Sequence, residues 1–140
     1  PEQFGGGYID DFFQGKLDAQ VHPYFEEISA LRVSAHCLIE RTGRITQYVN
    51  FTDRAWHAGL SCFEGREKCN DFAIGIELEG SNEQPFTDEQ YTALQALTRE
   101  IMRVYPHITK KRIVGHCDVS PGRKIDPGQY FDWQRYLQNI

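Results

Sequence analysis

Residues Gly115-His116-Cys117-Asp118-Val119-Ser120-Pro121-Gly122-Arg123-Lys124-Ile125-Asp126-Pro127-Gly128 form the part of the chain densest in side chains capable of chemistry. Imidazole and carboxylate are standard donors to catalytic zinc. A loop stiffened by Pro121 and Pro127 and turned by Gly122 and Gly128 can bring Asp126 back beside His116. Lys124, two residues before Asp126, projects to the same side in an extended segment. A cation there stabilises the oxyanion that forms when water attacks a carbonyl. The competing reading is a surface loop whose histidine caps a strand and whose charges are solvated. Cys117 adjoins His116, but neighbouring strand residues point to opposite faces, so this thiol is expected to be buried and inert.

Glu77 is the second candidate. Phe72, Ile74, Ile76 and Leu78 alternate with Ala73, Gly75, Glu77 and Glu79, so Glu77 points away from the apolar face. A partly buried carboxylate near a metal can take a proton from water and return it to a leaving amine. The alternative has Glu77 and Glu79 both facing solvent. Trp56-His57-Ala58-Gly59 sets an aromatic wall and an imidazole on one loop, which suits a sugar or peptide groove as well as a packed corner. His36 can face the same cleft or hydrogen-bond within the fold.

The elements that must hold these residues are mixed. Tyr8, Ile9, Phe12 and Phe13 have the spacing of a short helix ended by Gly15, and Pro23 to Leu31 predicts a second. Val33 to Glu40 and Ile45 to Val49 flank Arg41-Thr42-Gly43-Arg44 as a hairpin, and Phe72 to Glu79 reads as a strand. Thr87 and Gln90 make a capping box. Tyr91, Leu94, Leu97, Ile101, Val104 and Tyr105 then mark one side of a helix that should cover the sheet. A short strand at Arg112 to Val114 leads into the reactive loop, expected to be irregular, and Phe131 to Leu137 closes the chain as a helix. The expected class is α/β, of the α+β kind, a sheet flanked by helices in a single domain over residues 1–140.

Composition narrows the partners. A net charge of -5 argues against nucleic acid, which is bound through clustered Lys and Arg, and no apolar run is long enough for a membrane span. Cys37, Cys62, Cys69 and Cys117 show no Cys-x-x-Cys spacing, and the expectation is reduced thiols in a cytoplasmic protein. The opening residues show no charged-then-apolar signal peptide.

Taken in order and spacing, Val33-Ser34-Ala35-His36, Ala55-Trp56-His57-Ala58-Gly59, Asn70-Asp71-Phe72-Ala73-Ile74-Gly75-Ile76-Glu77, and Gly115-His116-Cys117-Asp118 through Lys124-Ile125-Asp126-Pro127-Gly128 resemble the zinc-dependent N-acetylmuramoyl-L-alanine amidases. Phe4-Gly5-Gly6 through His22-Pro23-Tyr24-Phe25 to Leu31-Arg32 look like the cytoplasmic AmpD type, which acts on 1,6-anhydro-muropeptides in cell-wall recycling. The resemblance implies a central mixed sheet and one Zn2+ per domain, with His116 and Asp126 as two of three ligands. It implies Glu77 as general base, Lys124 as oxyanion partner, and Arg32, His36, Trp56, His57, Lys68 and Asn70 as substrate or supporting residues. It also implies a monomer with a muropeptide substrate. The family's third ligand is a histidine on a first strand, expected to lie before Pro1. A non-catalytic peptidoglycan-binding module of the same fold is the alternative. The Gly5-Gly6-Gly7 run and the aromatic segment to Phe25 suggest a mobile wall over the groove.

Overall fold

The computed structural model describes residues 4–81 and 83–140. Two short helices, α1 (Tyr8–Phe13) and α2 (Pro23–Ile28), precede strands β1 (Cys37–Ile39) and β2 (Ile45–Gln47). A two-stranded ribbon follows, β3 (Cys62–Phe63) and β4 (Arg66–Glu67), then β5 (Ile76–Leu78). The long helix α3 (Asp88–Val104), the single turn α4 (His116–Val119) and α5 (Trp133–Gln138) complete the chain.

The main sheet runs β2-β1-β5 and is mixed: β1 pairs antiparallel with β2 and parallel with β5. The hairpin closes at Glu40, whose carbonyl accepts from Gly43 N at 2.8 Å while its N–H donates to Arg44 O at 2.9 Å. Gly43 adopts φ 80°, and a Cβ there would lie 2.8 Å from the Glu89 carbonyl oxygen, so this turn requires glycine on both counts. One face of the sheet meets α3: Ile39 packs with Tyr91, Leu94, Phe131 and Tyr136, joined by Ile76 and Leu78. Gln90, 1 % exposed, is buried for a reason. Its amide donates to Ile39 O at 3.2 Å and to Glu79 O at 2.8 Å, binding the ends of both parallel strands.

The opposite face is covered by the amino-terminal segment. Gly5 N donates to Glu79 Oε1 at 2.8 Å, Tyr48 Oη donates to Asp10 Oδ1, and the rings of Phe13 and Tyr48 meet edge to face.

Three expectations change. The strand expected over Phe72 to Glu79 is only β5, because Phe72 and Ala73 N–H groups turn back to Cys69 O. No strand forms at Arg112 to Val114: Lys110–Arg112 is a 3-10 turn, and among the described residues Ile113 and Val114 have no ladder partner. The reactive loop is not irregular throughout, since it opens with α4, where Asp118 Oδ2 accepts from Gly115 N at 2.7 Å and satisfies a donor at the helix start. Cys117 therefore sits on a helical turn and is half-buried, and strand alternation does not govern it. Burial raises its thiol pKa.

Candidate active site

The parallel register places Leu38 beside Glu77. Both side chains point away from α3, because the neighbours Ile76 and Leu78 pack into the core on the other face. Solvent still reaches Glu77, yet protein atoms crowd its carboxyl closely enough to strip much of its hydration. That desolvation, with the negative charge of Asp126 added, raises its pKa to about 7, while His116 and Lys124 oppose the rise. These four residues therefore share one electrostatic neighbourhood.

His116 is the first residue of α4, and Asp126 returns to it because Cys117 N donates to Asp126 O at 3.0 Å. His116 Nδ1 lies 2.9 Å from Asp126 Oδ2, and His116 Nε2 lies 3.0 Å from Ala58 O. A carbonyl only accepts, so Nε2 carries a hydrogen. Burial opposes ionisation of Asp126, but the hydrogen bond and charge of His116, with Lys124 behind, prevail and hold its carboxyl below the usual range. The approach of Nδ1 to Oδ2 needs a proton between them. A metal ion in place of that proton would meet one nitrogen and one oxygen donor, which fits zinc chemistry. Among the described residues no group of three metal-binding side chains occurs.

The loop carrying Trp56 and His57 is fixed from below. Asn70, 7 % exposed, accepts through Oδ1 from His57 N at 3.0 Å and Ala58 N at 2.8 Å. Ala58, Cys69 and Val119 form a small apolar cluster beneath it, joining this loop to α4. His57 Nε2 donates to Ala73 O at 3.2 Å, leaving Nδ1 without a hydrogen in the neutral ring. Burial, reinforced by His36 and His116, lowers the His57 pKa to about 4 against the backbone bond to Ala73.

His36 is 1 % exposed, and both its ring nitrogens are engaged. Nδ1 accepts from Gly75 N at 3.0 Å and Nε2 donates to Asp53 O at 3.1 Å, so His36 braces β5 against the 50–53 turn. Trp56 is exposed and carries the Arg54 guanidinium 4.0 Å over its ring, while Arg54 pairs with Asp71 at 3.1 Å. Lys68 is exposed in a left-handed conformation, φ 61°. Arg32 is exposed near Gly15. Among the described residues neither makes a hydrogen bond or ion pair with His116 or Asp126. Glu79, two residues from Glu77, does not face solvent: it is 9 % exposed and accepts from Gly5 N and from Arg41 N at 2.9 Å.

Sequence reasoning passed over Arg123 and Ser120. Both reach from the reactive loop to the carbonyls of Ala58 and Leu60. Nothing in local spacing marks a side chain whose partners are backbone atoms about sixty positions away.

Residues 8–129 match the family described as N-acetylmuramoyl-L-alanine amidase. The chain is 79 % identical over its whole length to 1,6-anhydro-N-acetylmuramyl-L-alanine amidase AmpD of Haemophilus influenzae, covering 76 % of that protein. It is similar to a crystal structure of a selenomethionine AmpD derivative, with 53 % identity and a TM-score of 0.97, covering 100 % of this chain and 78 % of the other. It is also similar to AmiD from Escherichia coli, solved with the substrate anhydro-N-acetylmuramic acid-L-Ala-D-gamma-Glu-L-Lys. There the identity is 35 % and the TM-score 0.72, over 84 % of this chain and 51 % of that one.

Proposed function

The chain belongs to the N-acetylmuramoyl-L-alanine amidase family, and from that premise we propose that it hydrolyses the amide between the lactyl group of 1,6-anhydro-N-acetylmuramic acid and L-alanine, in cell-wall recycling. The observation that carries this reading is the shared neighbourhood of Glu77, His116, Asp126 and Lys124. Its support is the 79 % identity to the Haemophilus influenzae AmpD.

His116 and Asp126 would hold one Zn2+, supplying two of the three protein donors a catalytic zinc takes. When bound, the metal supplies a Lewis acid for the scissile carbonyl and lowers the pKa of water. Glu77 takes a proton from the attacking water as the water oxygen bonds to the carbonyl carbon. The carbon–nitrogen bond then breaks, and Glu77 returns the proton to the departing L-alanine amine. Lys124 donates to the oxyanion between the two steps. Trp56, on a loop held by Asn70, is exposed with the Arg54 guanidinium over its ring, and it is a substrate-binding candidate together with Arg32, Lys68 and His57. No helix among the described residues is long and apolar enough to cross a membrane. A cytoplasmic, monomeric enzyme of one domain, with a muropeptide as its partner, completes the proposal.

The test is incubation of the zinc-loaded protein with 1,6-anhydro-muramoyl-tripeptide. Release of free tripeptide is expected, with turnover reduced at least a hundredfold in Glu77→Gln, and failure of the folded, zinc-loaded protein to release peptide would overturn the reading. The alternative reading is a peptidoglycan-binding module of the same fold without activity. Muropeptide binding with neither zinc uptake nor cleavage would establish it.

A further inference from the structure

The loop bearing His116 and Asp126 is joined to the Trp56–Leu60 loop by one guanidinium. Arg123 Nη2 donates to Ala58 O at 2.5 Å, and Ser120 Oγ and Leu60 O accept at 2.8 and 3.1 Å. Ser120, 3 % exposed, donates its own hydroxyl to Leu60 O at 2.7 Å. Gly59 leaves room for this: its φ is 61°, and a Cβ there would lie 3.0 Å from Arg123 Nη2 and 3.3 Å from its Cζ. The guanidinium thus lies against bare backbone.

The Ala58 carbonyl is the shared acceptor. It accepts from His116 Nε2 at 3.0 Å and from Arg123 Nη2 as well. Arg123 Nη2 is also 3.3 Å from His116 Nε2. Both groups are donors, so this short approach is not a hydrogen bond. It is a consequence of both converging on one oxygen. A histidine ligand presents a defined nitrogen only when its other nitrogen is held by a partner, and the orientation of that partner matters as much as its identity.

We propose that Arg123 is a positioning residue: by fixing the Ala58 carbonyl, it keeps the His116 Nε2 hydrogen in place and commits Nδ1 to the metal beside Asp126. Ser120 supports it by holding the Leu60 carbonyl and accepting from the same nitrogen. The inference rests on the zinc amidase reading for its metal, while its geometry is independent of substrate.

The experiment uses the full chain with Arg123→Ala and Arg123→Lys. Lysine keeps the charge, but its ammonium ends one atom short of Nη2, the nitrogen from which all three contacts are made. Circular dichroism confirms folding. Nitrogen-15 spectra of the zinc-free protein should show the His116 Nε2–H protected from exchange with water in the parent and exchanging rapidly in Arg123→Ala. Zinc dissociation constants, measured by competition with a chelator, should rise about 10- to 100-fold in Arg123→Ala and by less in Arg123→Lys. With muropeptide, kcat should fall while KM stays within about twofold, as expected when an interaction specific to the transition state is lost. A folded Arg123→Ala protein with the parent's Nε2–H protection and zinc affinity overturns the inference, whatever the activity assay gives. If the parent neither takes up zinc nor cleaves, the amidase reading fails, and the Nε2–H exchange measurement still decides the role of Arg123.

Discussion

Loss of hydration moves Glu77 and His57 in opposite directions because it disfavours the charged form of each. Glu77 rises from 4.5 to about 7, so the folded chain holds this proton more tightly than the unfolded chain. Its contribution to stability is greatest below pH 4.5 and declines as pH rises through about 7. His57 falls from 6.5 to about 4, so the unfolded chain takes its proton first; that contribution is complete above pH 6.5 and lost as pH falls through about 4. Urea melts across this range should therefore find Glu77→Gln gaining stability relative to the parent as pH rises from 4.5 to 7. A constant difference would remove Glu77 from the crowded environment described. Gly75 is the tightest position nearby. A Cβ there would sit 2.3 Å from His57 Cγ and 2.6 Å from its Nδ1, while Gly75 N is bonded to His36. Gly75→Ala should cost about 1–3 kcal/mol by forcing the His57 ring aside. Equal stability of that variant and the parent would show that the ring has room to move.

At the scale of elements, α3 carries the clearest local instruction. Thr87 Oγ1 accepts from Gln90 N at 3.1 Å, and Gln90 Oε1 accepts from Thr87 N at 3.1 Å. Thr87 Oγ1 also donates to Arg41 O at 2.7 Å, which ties the helix start to the β1–β2 hairpin. Thr87→Ala should lower stability by about 1–2 kcal/mol, read from the urea midpoint at unchanged slope. α3 and the hairpin were legible in sequence because their signals are local: a capping box, a helical repeat and a glycine turn lie within a few residues of what they specify. β5 was legible in type but not in length, since Cys69 O competes for the N–H groups of Phe72 and Ala73. The segment Arg112 to Val114 has strand composition, but a strand also needs a partner, and pairing is not written in the strand itself. The reactive loop could be recognised by its residue types. The bond from Cys117 N to Asp126 O, and the clamp from Arg123 to Ala58, depend on tertiary closure and left no mark in spacing.

Across the whole molecule, the two faces of the sheet are covered by different means. On one face the aromatic and aliphatic side chains of α3, α5 and Phe131 make a continuous apolar core with Ile39. On the other, residues 4–31 are held largely by polar and aromatic contacts: Gly5 N to Glu79, Tyr48 to Asp10, Phe13 on Tyr48, and the Arg41 guanidinium 5.0 Å over the Phe4 ring. Glu79 joins both sides of that arrangement, since its two carboxyl oxygens accept from Gly5 N and Arg41 N while its carbonyl receives Gln90 from α3. Local opening follows the weaker set of contacts, so this face should open without unfolding the core. Removing the carboxyl deletes two hydrogen bonds on the N-terminal side and leaves the backbone bond to Gln90 intact. Glu79→Ala should therefore raise hydrogen exchange at least tenfold in residues 5–14, with the amides of α3 between Leu94 and Ile101 unchanged. Glu79→Gln, which keeps one accepting oxygen, should fall between the two. Exchange accelerated equally in both regions would mean that the faces unfold as one cooperative unit, and unchanged exchange at 5–14 would mean that the aromatic contacts suffice to hold the segment down. Either result would reject a separable cover anchored two residues from Glu77.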